Sequence, residues 1–465
     1  MNTSLLIVGI IVVFSLLSMR ISKRFEIPLL IMFILVGMLA GSEGIGGIYF
    51  DDAKITQDIG TVALIFIIFS GGLETKKADV KSAFFPSSTL ATAGVLLTAI
   101  FSTAIVYSLT NFTLRESLLF SAMVSSTDAA AVMYILEDTS LIKKVRSVVE
   151  IESGSNDPMA YALILFLISF FKSDSFSLFG SIFFLLKQIG FGIICGVFFG
   201  KITLPLGNFI KIFKEEFLTI YLSAMAFITF GATSLIDGNG YLAIYIAAIL
   251  IGNEKFNFKV NNLRNMKLIT GLMQISMFVI LGLLVFPSQL YGFIFIGSLL
   301  SILVIIGVRM LVVFLLLHFF DFTIKEKFFI SWAGLKGAVP IIFATMAITE
   351  GLPNSQTMFN LIFYMVAFSV TIQGVLLKPL GKYLNLFQDQ EEDHSILSMD
   401  ELEELTIKKI TLDKNSEYAF KEIKDLNLPH STLIISIKRK DTYITPKGDI
   451  ILLPKDIILF SEKTI

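Results

Sequence analysis

Glu152-Ser-Gly-Ser-Asn-Asp-Pro158 sets two acids, an amide, two hydroxyls and a proline inside an otherwise apolar stretch. A carboxylate at bilayer depth costs about 2.5–3.5 kcal/mol, so intramembrane acids mark function by default. On a helix Ser153 and Asp157 lie four apart and share a face, as do Glu152 and Asn156. Asp157 can then meet a cation with Ser153 beside it, while Glu152 needs a partner of its own. Pro158 has no N–H, which frees the carbonyl of Gly154 and permits a kink beside the acid.

Two further apolar stretches carry interruptions at similar depth. One holds Ser125-Ser-Thr-Asp128 followed by Ala129-Ala-Ala131, small residues that let another helix cross closely. The other holds Gly334-Leu-Lys-Gly-Ala-Val-Pro340, in which Pro340 frees the carbonyl of Lys336. Asp128, Asp157 and Lys336 all fall near the bilayer midplane. Free carbonyls and half-helix ends can hold a cation there, and Lys336 can neutralise like-charged helix ends where two broken helices cross. An unpaired Lys and an unpaired Glu would both be expensive at this depth. Lys336 is therefore expected to pair with Glu152, which makes Glu152 structural.

The elements that position these residues are membrane helices. The 465 residues are 55% apolar and only 16% charged, with 45 Phe against one Trp. Apolar runs near 20 residues recur from Met1 to about Leu386, so the chain reads as a polytopic helical membrane protein with thirteen spans. The polar interruptions fall in the fifth (116–136), sixth (147–171) and twelfth (325–349). The fifth and twelfth run in opposite directions and lie seven spans apart, as an inverted repeat would place them. Loops after odd-numbered spans hold seventeen Lys and Arg against three on the other side. The positive-inside rule then sets the N-terminus outside and the C-terminus in the cytoplasm.

The composition changes near Asp389, giving a membrane domain over 1–388, a solvated linker over 389–398 and a soluble α+β domain over 399–465. In that tail Leu405–Leu412, Leu433–Lys438, Thr442–Thr445 and Asp449–Phe460 read as strands, and Ala419–Asp425 as a short helix. Elsewhere Arg309 and His318 are expected to snorkel toward the cytoplasmic interface. Lys187 sits deeper, in the seventh span. One Cys and three scattered His exclude a disulfide framework and a zinc site, and no nucleotide-hydrolysis loop is present. No cofactor and no nucleic acid are expected; the partner is membrane lipid.

Burial raises a carboxyl's proton affinity, so protons and cations compete for one buried acid, and a site that reorients only when loaded couples the two fluxes. Asp157 is the candidate for that acid. The three interrupted stretches, with Ile27-Pro28, Gly37-Met-Leu-Ala-Gly41 and Gly71-Gly-Leu73, resemble bacterial NhaP-type members of the monovalent cation/proton antiporter family. The resemblance implies a homodimer in the inner membrane, each chain with about thirteen helices, inverted repeats and a crossing of unwound helices. It implies that Asp157 binds the ion, with Ser153, the backbone at Thr127 and Asn156 contributing and Asp128 beside them. It also implies electroneutral exchange, since Asn156 stands where the electrogenic branch has an Asp. Two positions depart: Ser70 replaces an acid, and Lys336 replaces an Arg, losing the planar fork that grips a carboxylate.

The tail, through Leu426-Asn-Leu-Pro-His-Ser-Thr-Leu-Ile-Ile435 and Ile444-Thr-Pro-Lys-Gly-Asp449, is similar to RCK-C (TrkA-C) domains. These accompany potassium/proton exchangers of the cell-volume-regulation kind and can take a small regulatory ligand, which favours K⁺ over Na⁺ here. A ligand-gated cation channel is the alternative, against which stands the lack of a repeated filter segment. An intramembrane protease built on Asp128 and Asp157 would need the two acids about 3 Å apart, and Lys336 opposes the shared proton.

Overall fold

A computed structural model describes residues 2–25, 28–136, 139–172, 178–210, 215–256, 258–388, 405–412, 416, 418–426, 432–439, 442–454 and 456–463. The chain divides into two compact units, Met1–Gln388 and Asp389–Ile465. The expected linker at 389–398 lies outside the described residues.

The first unit is helical: α1 (Asn2–Phe25), α2 (Leu29–Ala40), α3 (Ala53–Glu74), α4 (Lys77–Thr89), α5 (Val95–Leu109), α6 (Leu114–Val124), α7 (Ala129–Ile135), α8 (Lys143–Lys172), α9 (Leu178–Phe209) and α10 (Glu215–Leu235). There follow α11 (Gly240–Asn253), α12 (Lys259–Leu284), α13 (Pro287–Leu290), α14 (Ile294–Leu300), α15 (Arg309–Leu316), α16 (Ile324–Trp332), α17 (Ala338–Thr349), α18 (Ser355–Phe368) and α19 (Gly374–Tyr383). Wide π-helical turns at Leu90–Gly94, Ser301–Val308 and Ser369–Gln373 join α4 to α5, α14 to α15 and α18 to α19. Among the described residues nine helices are long and apolar enough to cross a membrane, and four shorter ones are apolar. A backbone in hydrocarbon must satisfy its own polar groups, which is why the unit is all helix. Where α2 meets α12 the backbones touch: a Cβ on Gly37 would stand 2.2 Å from the Val279 carbonyl, and one on Gly282 2.3 Å from that of Ile34.

The fifth apolar stretch is two half-helices, α6 and α7, separated by Ser125–Asp128, and the twelfth is α16 and α17, separated by Ala333–Gly337. Both begin with a Thr-x-x-Glu capping box. Thr113 and Glu116 bond each other's backbone N–H groups at 3.3 and 2.7 Å, and Thr323 and Glu326 do so at the same two distances. Each box satisfies two of the four N–H groups that a helix start leaves bare. Each Glu is then held from the other half of the fold: Asn354, just before α18, donates to Glu116, and Lys144 at the start of α8 reaches Glu326 at 3.4 Å. Just before α8 the backbone pairs with the end of the unit, Ile142 N–H donating to Leu386 at 3.0 Å and Gln388 N–H to Ser140 at 2.9 Å.

The second unit is an antiparallel sheet of order β1-β4-β2-β3, with β1 Leu405–Thr411, β2 Thr432–Arg439, β3 Thr442–Ile444 and β4 Ile457–Lys463. Leu412, Ile434, Ile437, Leu452 and Ile458 form its core. Two expectations need correction. The strand drawn from Asp449 begins only at Ile457, because Pro454 and Asp456 turn the chain before it, Asp456 N–H donating to Leu453. The helix drawn at Ala419–Asp425 is one 3₁₀ turn, Ile423–Asp425.

Asp456 anchors that turn. Its carboxylate accepts from Arg439 at 2.8 and 2.9 Å and from the Leu453 amide at 2.8 Å. Burial pushes this carboxyl up, but the Arg439 and Leu453 bonds outweigh it and hold it below its ordinary 3.8. A lowered folded value means the stabilisation is complete above the usual carboxylate range and is lost as pH falls through that lowered value. Asp456→Asn in the full chain is expected to cost about 1–3 kcal/mol at pH 7, since it strands a charged partner. Protease digestion should then cut the variant's tail faster at pH 7, while the wild-type tail yields only below about pH 4. Equal resistance of the two at pH 7 would remove the pair from any part in the tail's stability.

Candidate ion site at the helix crossing

The two breaks meet. Asp128 N–H donates to the Leu335 carbonyl at 2.8 Å, joining one interruption to the other. Four half-helix ends converge here, two N-terminal and partly positive, two C-terminal and partly negative. Asp128 caps α7, its Oδ1 accepting from Ala131 N–H at 3.0 Å, and its Oδ2 lies against Gly337 at the start of α17. Lys336, 1% exposed, sends its ammonium to the carbonyls of Ser126 at 2.8 Å and Ser125 at 3.4 Å, at the C-terminal end of α6. Each charged side chain thus answers helix ends of the opposite sign.

The expected Glu152–Lys336 pair is not formed. Glu152 is held by Arg309, with Nη1 2.7 Å from Oε1 and Nη2 2.9 Å from Oε2. Arg309 does not snorkel: it is 4% exposed, and Glu152 2%. The reason is geometric. A guanidinium matches both carboxylate oxygens at once, which an ammonium cannot, so the fork missing at position 336 is supplied from α15. Lys336, released from Glu152, serves the helix end. Lys187 is likewise engaged, at 2.8 Å from Asp237.

α8 lies against both breaks through its polar run. Ser153 Oγ accepts from Ala129 N–H at 2.8 Å and donates to the Thr127 carbonyl at 2.7 Å. Asn156 Nδ2 donates to Thr127 Oγ1, which turns its Oδ1 away from that bond. Asp157 is 8% exposed, with Asp128, Lys336 and Ser126 as its electrostatic neighbours. Asp157 Oδ1 and Asn156 Oδ1 are buried and have no hydrogen-bond partner among the described residues. Buried oxygens normally find partners, so these two bare ones single out this stretch of α8. One residue beyond the acid, Asn239 donates to the Pro158 carbonyl at 2.6 Å while capping α11. Among the described residues no group of three or more His, Cys, Asp and Glu is placed to hold a metal ion.

Sequence reasoning assigned Arg309 to the interface and missed Asn239, Ser369 and Gln373, of which Ser369 and Gln373 were readable as a polar pair four apart in an apolar helix.

Comparison with known proteins gives a consistent account. Residues 9–383 match the family described as Sodium/hydrogen exchanger, transmembrane, and 407–461 match the TrkA-C domain. The K(+)/H(+) antiporter NhaP2 of Shewanella sp. (strain MR-4) is 34% identical over the whole chain and 82% of its own length. The K(+)/H(+) antiporter NhaP of Alkalimonas amylolytica is 33% identical over 98% of this chain and 81% of its own. The Na(+)/H(+) antiporter NhaG of Bacillus atrophaeus is 27% identical over 72% of this chain and 64% of its own. The solved sodium proton antiporter MjNhaP1 from Methanocaldococcus jannaschii superposes with a TM-score of 0.69 at 21% identity, over 82% of this chain and 98% of that one. The matched share of the chain and the shared fold place this protein in the sodium/hydrogen exchanger family, as a multi-pass membrane monovalent cation/proton antiporter carrying a TrkA-C domain.

Proposed function

We propose that the protein exchanges K⁺ for H⁺ one for one by alternating access, with Asp157 as the shared carrier of both. The observation that carries this reading is the bare, buried Oδ1 of Asp157, on the helix whose Ser153 and Asn156 bond Thr127 in the first of the two crossing breaks. A carboxylate held there binds a cation or a proton but not both, so neither crosses without the other. The Thr127 backbone and Ser153 complete the oxygen surroundings, and Asp128, already committed to α7, balances Lys336. Asn156 adds no charge, which supports electroneutral exchange. Ser70, buried on α3, is a hydroxyl where the resemblance has a carboxylate, which takes one negative charge out of the membrane unit. A site of lower charge repays the dehydration of Na⁺ less well than that of the larger K⁺. Relatives named K(+)/H(+) antiporters at 33–34% identity favour the same ion. Homodimerisation, residence in the inner membrane and a cytoplasmic tail belong to this reading, the last on the loop charges.

The test is proteoliposome transport from an imposed pH gradient, with K⁺, Na⁺ or Li⁺ added in turn. Wild type is expected to dissipate the gradient fastest with K⁺, at a rate indifferent to membrane potential, and Asp157→Ala to lose the response to every cation. Wild-type exchange by Asp157→Ala would end the assignment of the carrier.

A further inference from the structure

In an unbroken helix Lys336 N–H would donate to the Trp332 carbonyl four residues earlier. The break between α16 and α17 separates these two groups, Lys336 fully buried and Trp332 half-buried. The next apolar helix reconnects them through its π-helical turn. Lys336 N–H donates to Ser369 Oγ at 3.0 Å, Ser369 donates to Gln373 Oε1, and Gln373 Nε2 donates to the Trp332 carbonyl at 3.4 Å. The Trp332 indole returns a bond to the Gln373 carbonyl at 3.1 Å. Ser369 and Gln373 are fully buried, and the π-helical turn spans both, one at each end. The other break is treated alike: Ala129 N–H, whose helical acceptor Ser125 is taken by Lys336, is received by Ser153 from the helix that follows.

We propose that Ser369 and Gln373 are positioning residues for transport: a two-side-chain splice that fixes the backbone of Lys336 and so the place of the ion site. The route runs through two contacts. The Leu335 carbonyl holds Asp128 N–H, and the Lys336 ammonium holds the Ser125 and Ser126 carbonyls. If residues 335–336 shift, the backbone of 125–128 shifts with them, and with it the Thr127 carbonyl and hydroxyl that orient Ser153 and Asn156. A displacement of this kind weakens ion binding before it blocks the movement of the site. Effects on apparent KM are therefore expected to exceed those on maximal rate. This inference rests on Asp157 and its neighbours being the ion site.

The experiment measures cation dependence of exchange in proteoliposomes for Ser369→Ala, Ser369→Thr, Gln373→Met and, in parallel, Asp157→Ala. Ser369→Ala and Gln373→Met are expected to raise the apparent KM for the cation at least threefold while the maximal rate stays within twofold. Ser369→Thr keeps the hydroxyl and is expected to return KM to the wild-type value. Wild-type KM in folded Ser369→Ala, or equal impairment of the Ala and Thr variants, overturns the splice. Should Ser369→Ala yield no folded protein, Gln373→Met decides on the same criterion. Loss of exchange in Asp157→Ala with unchanged KM in the splice variants sinks the splice alone. Retained exchange in Asp157→Ala sinks the site assignment instead.

Discussion

Arg309→Met is expected to destabilise the membrane unit by about 3–5 kcal/mol, because it leaves the Glu152 carboxylate charged and unpaired in a dry interior. Both partners are nearly inaccessible, and both oxygens of the acid lie against the guanidinium, Oε2 hydrogen-bonded to Nη2 and Oε1 2.7 Å from Nη1. The measurement is thermal unfolding in detergent micelles. Arg309→Lys should recover only part of the loss, since an ammonium cannot meet both oxygens. Glu152→Gln in the Arg309→Met background should recover more, because removing the second charge removes the unpaired group. A protein carrying Arg309→Met alone that melts with the wild type would show that Glu152 does not need this partner. The double variant separates the cost of a stranded charge from the worth of the pair, which for buried ion pairs is small.

Gly337→Ala is expected to reduce exchange by more than tenfold, the largest transport loss outside Asp157. A Cβ there would stand 1.8 Å from Asp128 Oδ2, closer than any non-bonded pair tolerates, and the neighbouring Asp128 carbons offer no retreat at 2.6 and 2.7 Å. Either Asp128 leaves the start of α7 or the two breaks move apart, and both outcomes disturb the backbone around Thr127. Overpacking of this kind costs about 1–3 kcal/mol, so folded protein should still be recoverable for the assay. Gly271→Ala on α12 is the control, since its Cβ would meet nothing within 4 Å, and wild-type exchange is expected. Equal activity of the Gly337 variant and wild type would mean the crossing is looser than its distances indicate.

The two breaks and the polar run of α8 were legible because polar residues, Pro and Gly at bilayer depth are too costly to be incidental. The partner of Glu152 was not. It lies 157 residues away, and Arg309 stands near the end of a long apolar run, where a basic residue ordinarily reaches the interface. Charge counting alone paired the acid with the nearest base at the same depth, and guanidinium geometry decided otherwise. The capping boxes at Thr113–Glu116 and Thr323–Glu326 were readable from their spacing, but the spans were drawn from hydropathy and began inside both motifs. In the tail, alternation continued through Asp449–Phe460 and suggested one long strand. Pro454 and the Arg439–Asp456 pair, a contact across 17 residues, divide it.

The pairing of Ser140 and Ile142 with Leu386 and Gln388 sets a load path. Tension on the chain beyond Gln388 is resisted first by two backbone bonds side by side, which share it in shear rather than unzipping one after the other. What they transmit arrives at residues 140–142, one step from the first turn of α8. There Lys144 grips Glu326 and the carbonyl of Asp321, ahead of the first half of the other broken helix. A pull on the far end of the unit thus reaches the helix of Asp157 and the root of α16 together, bypassing the intervening length of α18 and α19.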